Sequence, residues 1–337
     1  MKALVYTAPH QVVLETHPDP VPGPDQVVIR VRASGVCGSD LLGFLGKSKK
    51  RVPPLILGHE MAGEVARVGA GVRDLAPGSR VAVMPLITCG TCEHCREGRN
   101  SVCEKRLLLG MNLAGGFAEY VVAPRSCLYP VPAAMDFLSA SMVECVATSS
   151  NLFHNHVRRP VRTAAVFGAG TQGILALQLA RRAGAREVFS IDVHEARLAV
   201  AGRLGGTALH AKKEDPVAAI LARTGGRGCD VVVDAAGYSP VRRQALSVTA
   251  RGGVLALVGL SDAATEFDVG DIINRELEIH GIYGYAPGDY ERALEAVAAG
   301  TLDVTSWVRE FPLEEGQRIM EQLTTAPGDL VKASLSP

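Results

Sequence analysis

An α/β protein in two parts, a doubly wound parallel sheet beside a β-rich domain, is the fold class that the sequence predicts. Three observations predict it. Short alternating apolar runs broken by Gly and Pro fill the N-terminal part. From Thr163 onward, strand-like runs alternate with helical stretches. A glycine-spaced turn joins the first of those strands to the first of those helices. The 337 residues suffice for two domains, and a hydrophobic content of 47% can fill two cores. The expected division is 1–147 with 288–337 for the β-rich domain and 148–287 for the parallel-sheet domain.

In the first part, Gln26–Val31 and Gly63–Gly69 read as strands with tight turns. Near residue 150 the character changes. Ala164–Phe167 is a short buried strand, 171–184 a helix dense in Ala and Leu, Glu187–Asp192 the next strand and 194–204 the next helix. Cys229–Ala235, Gly253–Leu260 and Leu277–Tyr283 continue the strand series. This rhythm predicts a parallel sheet covered on both faces. The last segment starts as a helix over Tyr290–Ala299, ends in short strands, and is expected to return to the first domain. No internal repeat or low-complexity stretch is present.

Lys plus Arg and Asp plus Glu number 35 each. A net charge of zero points to neither nucleic acid nor an anionic membrane as partner. The first residues do not follow the basic–apolar–small pattern of a signal peptide, and no run of eighteen apolar residues could span a bilayer. A cytoplasmic protein is expected. In a reducing compartment the eight cysteines are not expected to form disulfides.

Four of them crowd together as Cys89-x2-Cys92-x2-Cys95-x7-Cys103. Two-residue gaps turn successive thiolates toward one point, and the longer excursion supplies a fourth. Four thiolates with no open position describe a structural zinc site that fixes a protruding loop. An iron–sulfur cluster is the rival reading.

Gly168-x-Gly170-x-x-Gly173 follows a predicted strand and opens a predicted helix, the context that makes this spacing a dinucleotide-binding (Rossmann) fingerprint. The first glycine permits the turn, the second the approach of a pyrophosphate, the third close helix–strand packing. Thr171 and Gln172 lie at the helix N-terminus, where free N–H groups and the helix dipole favour phosphate. Asp192 ends the second strand, nineteen residues beyond Gly173. A carboxylate there accepts hydrogen bonds from the ribose hydroxyls of NAD and repels the 2′-phosphate of NADP. His194 and Arg197 follow, leaving some NADP tolerance open. The alternative is that Asp192 caps the helix starting near His194.

Three further groups stand apart: Cys37 in Val36-Cys37-Gly38-Ser39-Asp40, His59-Glu60 after Gly58, and Glu144 before Cys145. Each alone has a structural explanation, and spacing does not show that they converge. In order along the chain, these groups, Pro77-Gly78, the four-cysteine loop, Gly115-Gly116-Phe117-Ala118-Glu119-Tyr120, the glycine fingerprint and Leu257-Val258-Gly259 together resemble the zinc-containing medium-chain dehydrogenase/reductase family. The similarity is stronger to its polyol branch, of sorbitol and galactitol-1-phosphate type. The resemblance covers the whole chain and implies a GroES-like catalytic domain beside the Rossmann domain. It implies two zinc ions per chain and NAD, with Cys37, His59 and Glu144 binding a catalytic zinc. Glu60 would be a neighbouring carboxylate able to approach or replace a ligand, Ser39 would pass the substrate's hydroxyl proton outward, and Asp40 would orient His59. Thr148 would pack near the nicotinamide, and Val258 and Gly259 would join the cofactor site. The implied reaction is hydride transfer from a secondary alcohol of a polyol, cyclitol, sugar or sugar phosphate to NAD. A homodimer or homotetramer is implied, with edge pairing near Ile279–Tyr283 as the expected contact.

Two positions depart from the family pattern. Cys145 stands where proline is usual after the glutamate, and Asn151 where the polyol branch commonly has histidine. L-Threonine or amino-alcohol oxidation, general alcohol oxidation, and an inactive NAD-binding structural or regulatory protein are the alternatives. Intact Cys37, Ser39, His59 and Glu144 argue against the last, and against a zinc-free quinone reductase. The basic run Lys47-Ser48-Lys49-Lys50-Arg51 reads as a solvated loop or, alternatively, as a phosphate-binding element.

Overall fold

The structure is a computed structural model that describes all residues, Met1–Pro337. The chain forms two compact units, Met1–Ala147 with Tyr285–Pro337, and Thr148–Gly284. Re-entry into the first unit thus comes at Tyr285, slightly ahead of the expected 288. No helix is long and apolar enough to cross a membrane.

The first unit is built around the strand Gln26–Gly35. It pairs antiparallel with Glu60–Val68, Tyr120–Pro124 and Lys332–Ser336. Two cores lie against this strand and the residue that follows it. Val27, Ile29 and Val31 pack with Met61, Val65, Val81 and Val121 on one side. Val36 packs with Leu4, Tyr6, Leu57, Phe117 and Leu335 in the other. The C-terminal strands Val308–Pro312 and Lys332–Ser336 pair parallel, which requires a crossover. A helix, Gly316–Thr325, supplies it and buries Ile319 and Met320. The expectation of short strands alone after residue 299 is corrected by this helix.

The second unit is a six-stranded, wholly parallel sheet. In space the order is Thr207–His210, Glu187–Asp192, Thr163–Phe167, Cys229–Asp234, Thr249–Leu257, Glu278–Gly281. This is the doubly wound order, with its reversal between Thr163–Phe167 and Cys229–Asp234. Central strands covered on both faces are continuous apolar runs rather than alternating ones, and Val231, Val232 and Val233 are all buried. The strand expected at Gly253–Leu260 begins earlier and ends at Leu257. Val258 and Gly259 leave the ladder because both their N–H groups donate to the Asp234 carbonyl, at 2.9 Å each. The strand Glu278–Gly281 lies at the sheet edge.

Candidate active site and metal centres

Sheet order in the first unit brings distant residues together. Gly35, at the end of its strand, pairs with Glu60 at the start of the next and with Ser334 on the opposite side. A side chain at Gly35 would meet Glu60: its Cβ would stand 2.1 Å from Glu60 Oε2. The absence of that side chain lets the Glu60 carboxylate fold back to the Lys332 ammonium, with both residues almost fully buried. Lys332 Nζ also donates to the Val36 carbonyl at 2.9 Å. The two positive groups near Glu60, Lys332 first and His59 second, outweigh its burial and hold its carboxyl below the usual range.

Cys37 is the N-cap residue of the short helix Gly38–Phe44. Asp40, fully buried in that helix, accepts the Cys37 backbone N–H at 3.1 Å through Oδ2. Its Oδ1 lies 3.2 Å from His59 Nδ1. A carboxylate on Nδ1 leaves Nε2 of the same ring to face a metal. Ligand atoms of Cys37, His59 and Glu60 all lie within 4.8 Å of one another, and so do those of Glu60, Glu144 and Cys145. Glu60 is common to both groups. The structure therefore does not gather Cys37, His59 and Glu144 as a closed trio; it places Glu60 between the first two and the third.

Glu144 sits in the helix Val143–Asn151, and the Tyr285 hydroxyl donates to its Oε1 at 3.0 Å. Burial pushes the Glu144 carboxyl up to about 7, and the nearby Glu60 charge adds to the effect. Buried carboxylates side by side resist joint ionisation without a cation between them. Together with a thiol and an imidazole held by Asp40 at Nδ1, this donor set fits a divalent zinc ion. Cys145 is fully buried beside these carboxylates, and burial drives its thiol well above the usual range.

The four cysteines of the loop, all free thiols, bring their sulfurs within 4.8 Å of one another. Cys89 Sγ lies 3.6 Å from Cys103 Sγ and 3.9 Å from Cys95 Sγ. Zinc–sulfur bonds of about 2.3 Å imply a tetrahedron edge of about 3.8 Å, so the spacing fits one ion. A cubane cluster would spread its thiolates over separate irons. The Cys92 N–H donates to Cys89 Sγ at 3.4 Å, and N–H groups of Thr91 and Cys92 draw the Cys89 thiol down to about 5, ready to ligate.

In the second unit, Gly168 has φ +97°, and a Cβ on Gly173 would lie 1.8 Å from the Gly168 carbonyl oxygen. A Cβ on Gly170 would meet nothing within 4 Å, leaving open space over the N-terminus of the helix Thr171–Arg182, which has no side-chain cap. That space suits a pyrophosphate. Gln172 holds Ser149 by a 2.6 Å hydrogen bond between Ser149 Oγ and Gln172 Oε1. Thr148 is buried beside Ser149 in the sequence. Asp192 Oδ2 accepts the Ala169 N–H at 2.7 Å, while Oδ1 accepts from Val193 and His194. The next helix, Glu195–Arg203, has His194 as N-cap and no side-chain cap bond. Asp192 is thus tied to the glycine turn, with Arg197 3.8 Å from its Oδ2. Asn151 donates to the Gly284 carbonyl at 2.6 Å and accepts from Asn155.

Three residues were not visible as site residues in the sequence. Lys332 and Tyr285 carry no local motif. Arg51 belongs to the basic run, but only Lys47, Lys49 and Lys50 are exposed. Arg51 is buried against Ser39 and Asp40, which corrects the solvated-loop reading at that position.

Residues 23–133 match the family described as alcohol dehydrogenase GroES-like domain, and 173–299 that described as zinc-binding dehydrogenase. The chain is 33% identical over 344 residues to sorbitol dehydrogenase of Bacillus subtilis, covering 100% of this chain and 97% of that protein. It is 34% identical over 328 residues to L-threonine 3-dehydrogenase of Anaeromyxobacter dehalogenans, covering 94% of each. Among solved structures, galactitol-1-phosphate dehydrogenase of Escherichia coli superposes with a TM-score of 0.91 at 28% identity, covering 100% of both chains.

Proposed function

The chain belongs to the zinc-dependent medium-chain alcohol dehydrogenase family, and on that premise we propose that it oxidises a secondary alcohol of a polyol, cyclitol, sugar or sugar phosphate with NAD. It is an oxidoreductase that uses zinc and a nicotinamide dinucleotide; the substrate class and the residue roles are the proposal. The observation that carries it is Glu144, a buried carboxylate held by Tyr285 next to Glu60, where the polyol branch is expected to place a glutamate ligand.

Cys37, His59 and Glu144 would hold the catalytic zinc and Cys89, Cys92, Cys95 and Cys103 the structural one. Zinc held there would supply Lewis-acid polarisation of the substrate oxygen, and NAD would supply the hydride acceptor. Asp40 fixes the His59 ring through Nδ1 and, through the Cys37 N–H, the start of its helix. Ser39 takes the proton of the substrate hydroxyl. Glu60, neutralised by Lys332, stands ready beside the ligands without adding net charge. Gly168, Gly170, Thr171, Gln172 and Gly173 cradle the pyrophosphate. Asp192 takes the ribose, Arg197 lies beside it, and Thr148, Val258 and Gly259 complete the cofactor site. The sheet edge near Ile279–Tyr283, where the strand Glu278–Gly281 lies last in the sheet, is where a second copy would pair.

A 2-amino alcohol such as L-threonine is the second reading, supported by the likeness to L-threonine 3-dehydrogenase. Purified protein assayed for NADH formation on polyols, cyclitols, sugar-alcohol phosphates, L-threonine and primary alcohols separates them, with zinc per chain measured in parallel. The expected result is turnover on a secondary polyol alcohol with two zinc ions per chain. Turnover confined to L-threonine or to primary alcohols would overturn the substrate class.

A further inference from the structure

We propose that Arg51 is a positioning residue of the reaction: it holds the Ser39 hydroxyl and the Asp40 carboxylate in their working orientation. The inference rests on the relay role proposed above for Ser39. Arg51 closes the basic run, yet it is only 5% exposed. Burying a guanidinium is costly unless its charge and donors are met. Here the charge is met by Asp40, whose Oδ1 lies 3.4 Å from Nη2, and Nη2 donates to Ser39 Oγ at 2.9 Å, while Nε is buried without a partner.

The helix Gly38–Phe44 makes room for this arrangement. Gly43 lies within it, an unfavourable residue for a helix interior. A Cβ at Gly43 would stand 2.6 Å from Arg51 Cδ. Glycine at that position therefore lets the Arg51 stem cross the helix and reach Ser39 and Asp40, while Lys47, Lys49 and Lys50 stay in solvent.

The chemistry of the pair gives it direction. A guanidinium only donates hydrogen bonds and does not give up its proton near neutral pH. Ser39 Oγ must therefore accept from Arg51, and no proton leaves by that route. One Ser39 lone pair is occupied, the other stays open to the substrate hydroxyl, and the Ser39 hydrogen points away from Arg51. In the relay the substrate O–H bond breaks and a new O–H bond forms on Ser39. The original Ser39 O–H bond breaks as its proton passes to water. Arg51 is unchanged throughout. Its second contact steadies Asp40, which orients His59.

The test is a double-mutant cycle between Ser39→Ala and Arg51→Met. It reads kcat, KM, zinc content, NAD affinity and melting temperature on the substrate that gives turnover. Arg51→Met is expected to lower kcat by about tenfold with KM and zinc content within about twofold of the parent, and to cost less than about twofold where Ser39 is already alanine. Gly43→Ala, which displaces the Arg51 stem without deleting its charge, should reproduce the kcat loss. Should Arg51→Met fail to fold, Arg51→Lys takes its place, with a loss of about threefold that disappears in the Ser39→Ala background. An equal loss in both backgrounds, or one that follows zinc content, overturns the role of Arg51 and leaves the Ser39 relay standing. Full activity in Ser39→Ala overturns the relay itself, and the positioning role with it.

Discussion

Lys332, on the last strand of the chain, has its ammonium buried against the carboxylate of Glu60, and the pair lies beside the Cys37–His59 site. A buried pair of this kind is costly to form and more costly to break. Removing one partner strands an unpaired charge. Lys332→Met should destabilise the protein by about 3–5 kcal/mol in chemical denaturation. Adding Glu60→Gln should recover part of that loss, because no bare charge is then left. If the double variant is no more stable than Lys332→Met alone, the ion pair is not what Lys332 is there for.

How much of this was legible beforehand follows from how local each feature is. The glycine turn and the four-cysteine loop each lie within fifteen residues or fewer, so spacing alone pointed to a phosphate cradle and a metal knot. Cys37, His59 and Glu144 are separated by long stretches, and only the order of motifs along the chain suggested a common site. Lys332 and Tyr285 were illegible because sheet order and the re-entry of the chain bring them in. Arg51 was misread because a basic run looks solvated until Gly43 is seen to leave space for one of its members. The helix Gly316–Thr325 was missed because its apolar face is confined to a few positions amid charged and polar residues.

Cys92→Ser should lower the melting temperature and reduce zinc by one ion per chain while the remaining folded enzyme keeps its kcat. The four sulfurs are spaced for one tetrahedral ion with no open position, so the site is expected to contribute to folding and to do no chemistry. A variant with an unchanged melting temperature and a lost kcat would mean that the loop serves the reaction directly.

Glu144→Ala should abolish turnover and lower zinc content while NAD affinity stays near that of the parent, since the glycine turn lies in the other unit. Tyr285→Phe tests the support of the same carboxylate. It removes the 3.0 Å hydrogen bond to Glu144 Oε1, both residues being buried. Zinc should be lost to a chelator some tenfold faster, in line with other groups that hold metal ligands in place. Normal zinc retention in both variants would exclude Glu144 as a ligand.

Asp230, in the unit that holds neither metal centre, offers a pH test. Burial raises its carboxyl, but backbone N–H groups of Arg162 and Thr163 and the Arg227 guanidinium outweigh it, and the net direction is downward. A carboxyl depressed in the folded state contributes stability above its unfolded pKa of about 3.9 and loses it as pH falls through the folded value. Asp230→Asn should therefore cost about 1–3 kcal/mol near pH 7. The gap to the parent should narrow as pH drops into the carboxylate range. Urea unfolding at a series of pH values measures it, and a gap that widens toward acid would reverse the assigned sign.

On the proposed reading, Asp192 would couple cofactor choice to the shape of the glycine turn, which it holds through Ala169. One oxygen accepts the Ala169 N–H and the other accepts from Val193 and His194, so the carboxylate is fixed before any ribose arrives. It keeps further acceptor capacity, because an ionised carboxylate offers about four lone-pair sites. Asp192→Ala should therefore do two things at once. Losing the bond to Ala169 loosens the turn and weakens both dinucleotides. Losing the ribose contact weakens NAD by a further amount of about 1–3 kcal/mol. For NADP the second loss is offset by the removal of a negative charge facing its 2′-phosphate. Arg197, 3.8 Å from Asp192 Oδ2, would be released to pair with that phosphate. The ratio of kcat/KM for NAD over NADP should thus fall, even though kcat/KM for NAD falls as well. The ratio is the quantity that decides. If both cofactors lose equally, Asp192 serves only to brace the turn at Ala169, and the ribose is recognised elsewhere.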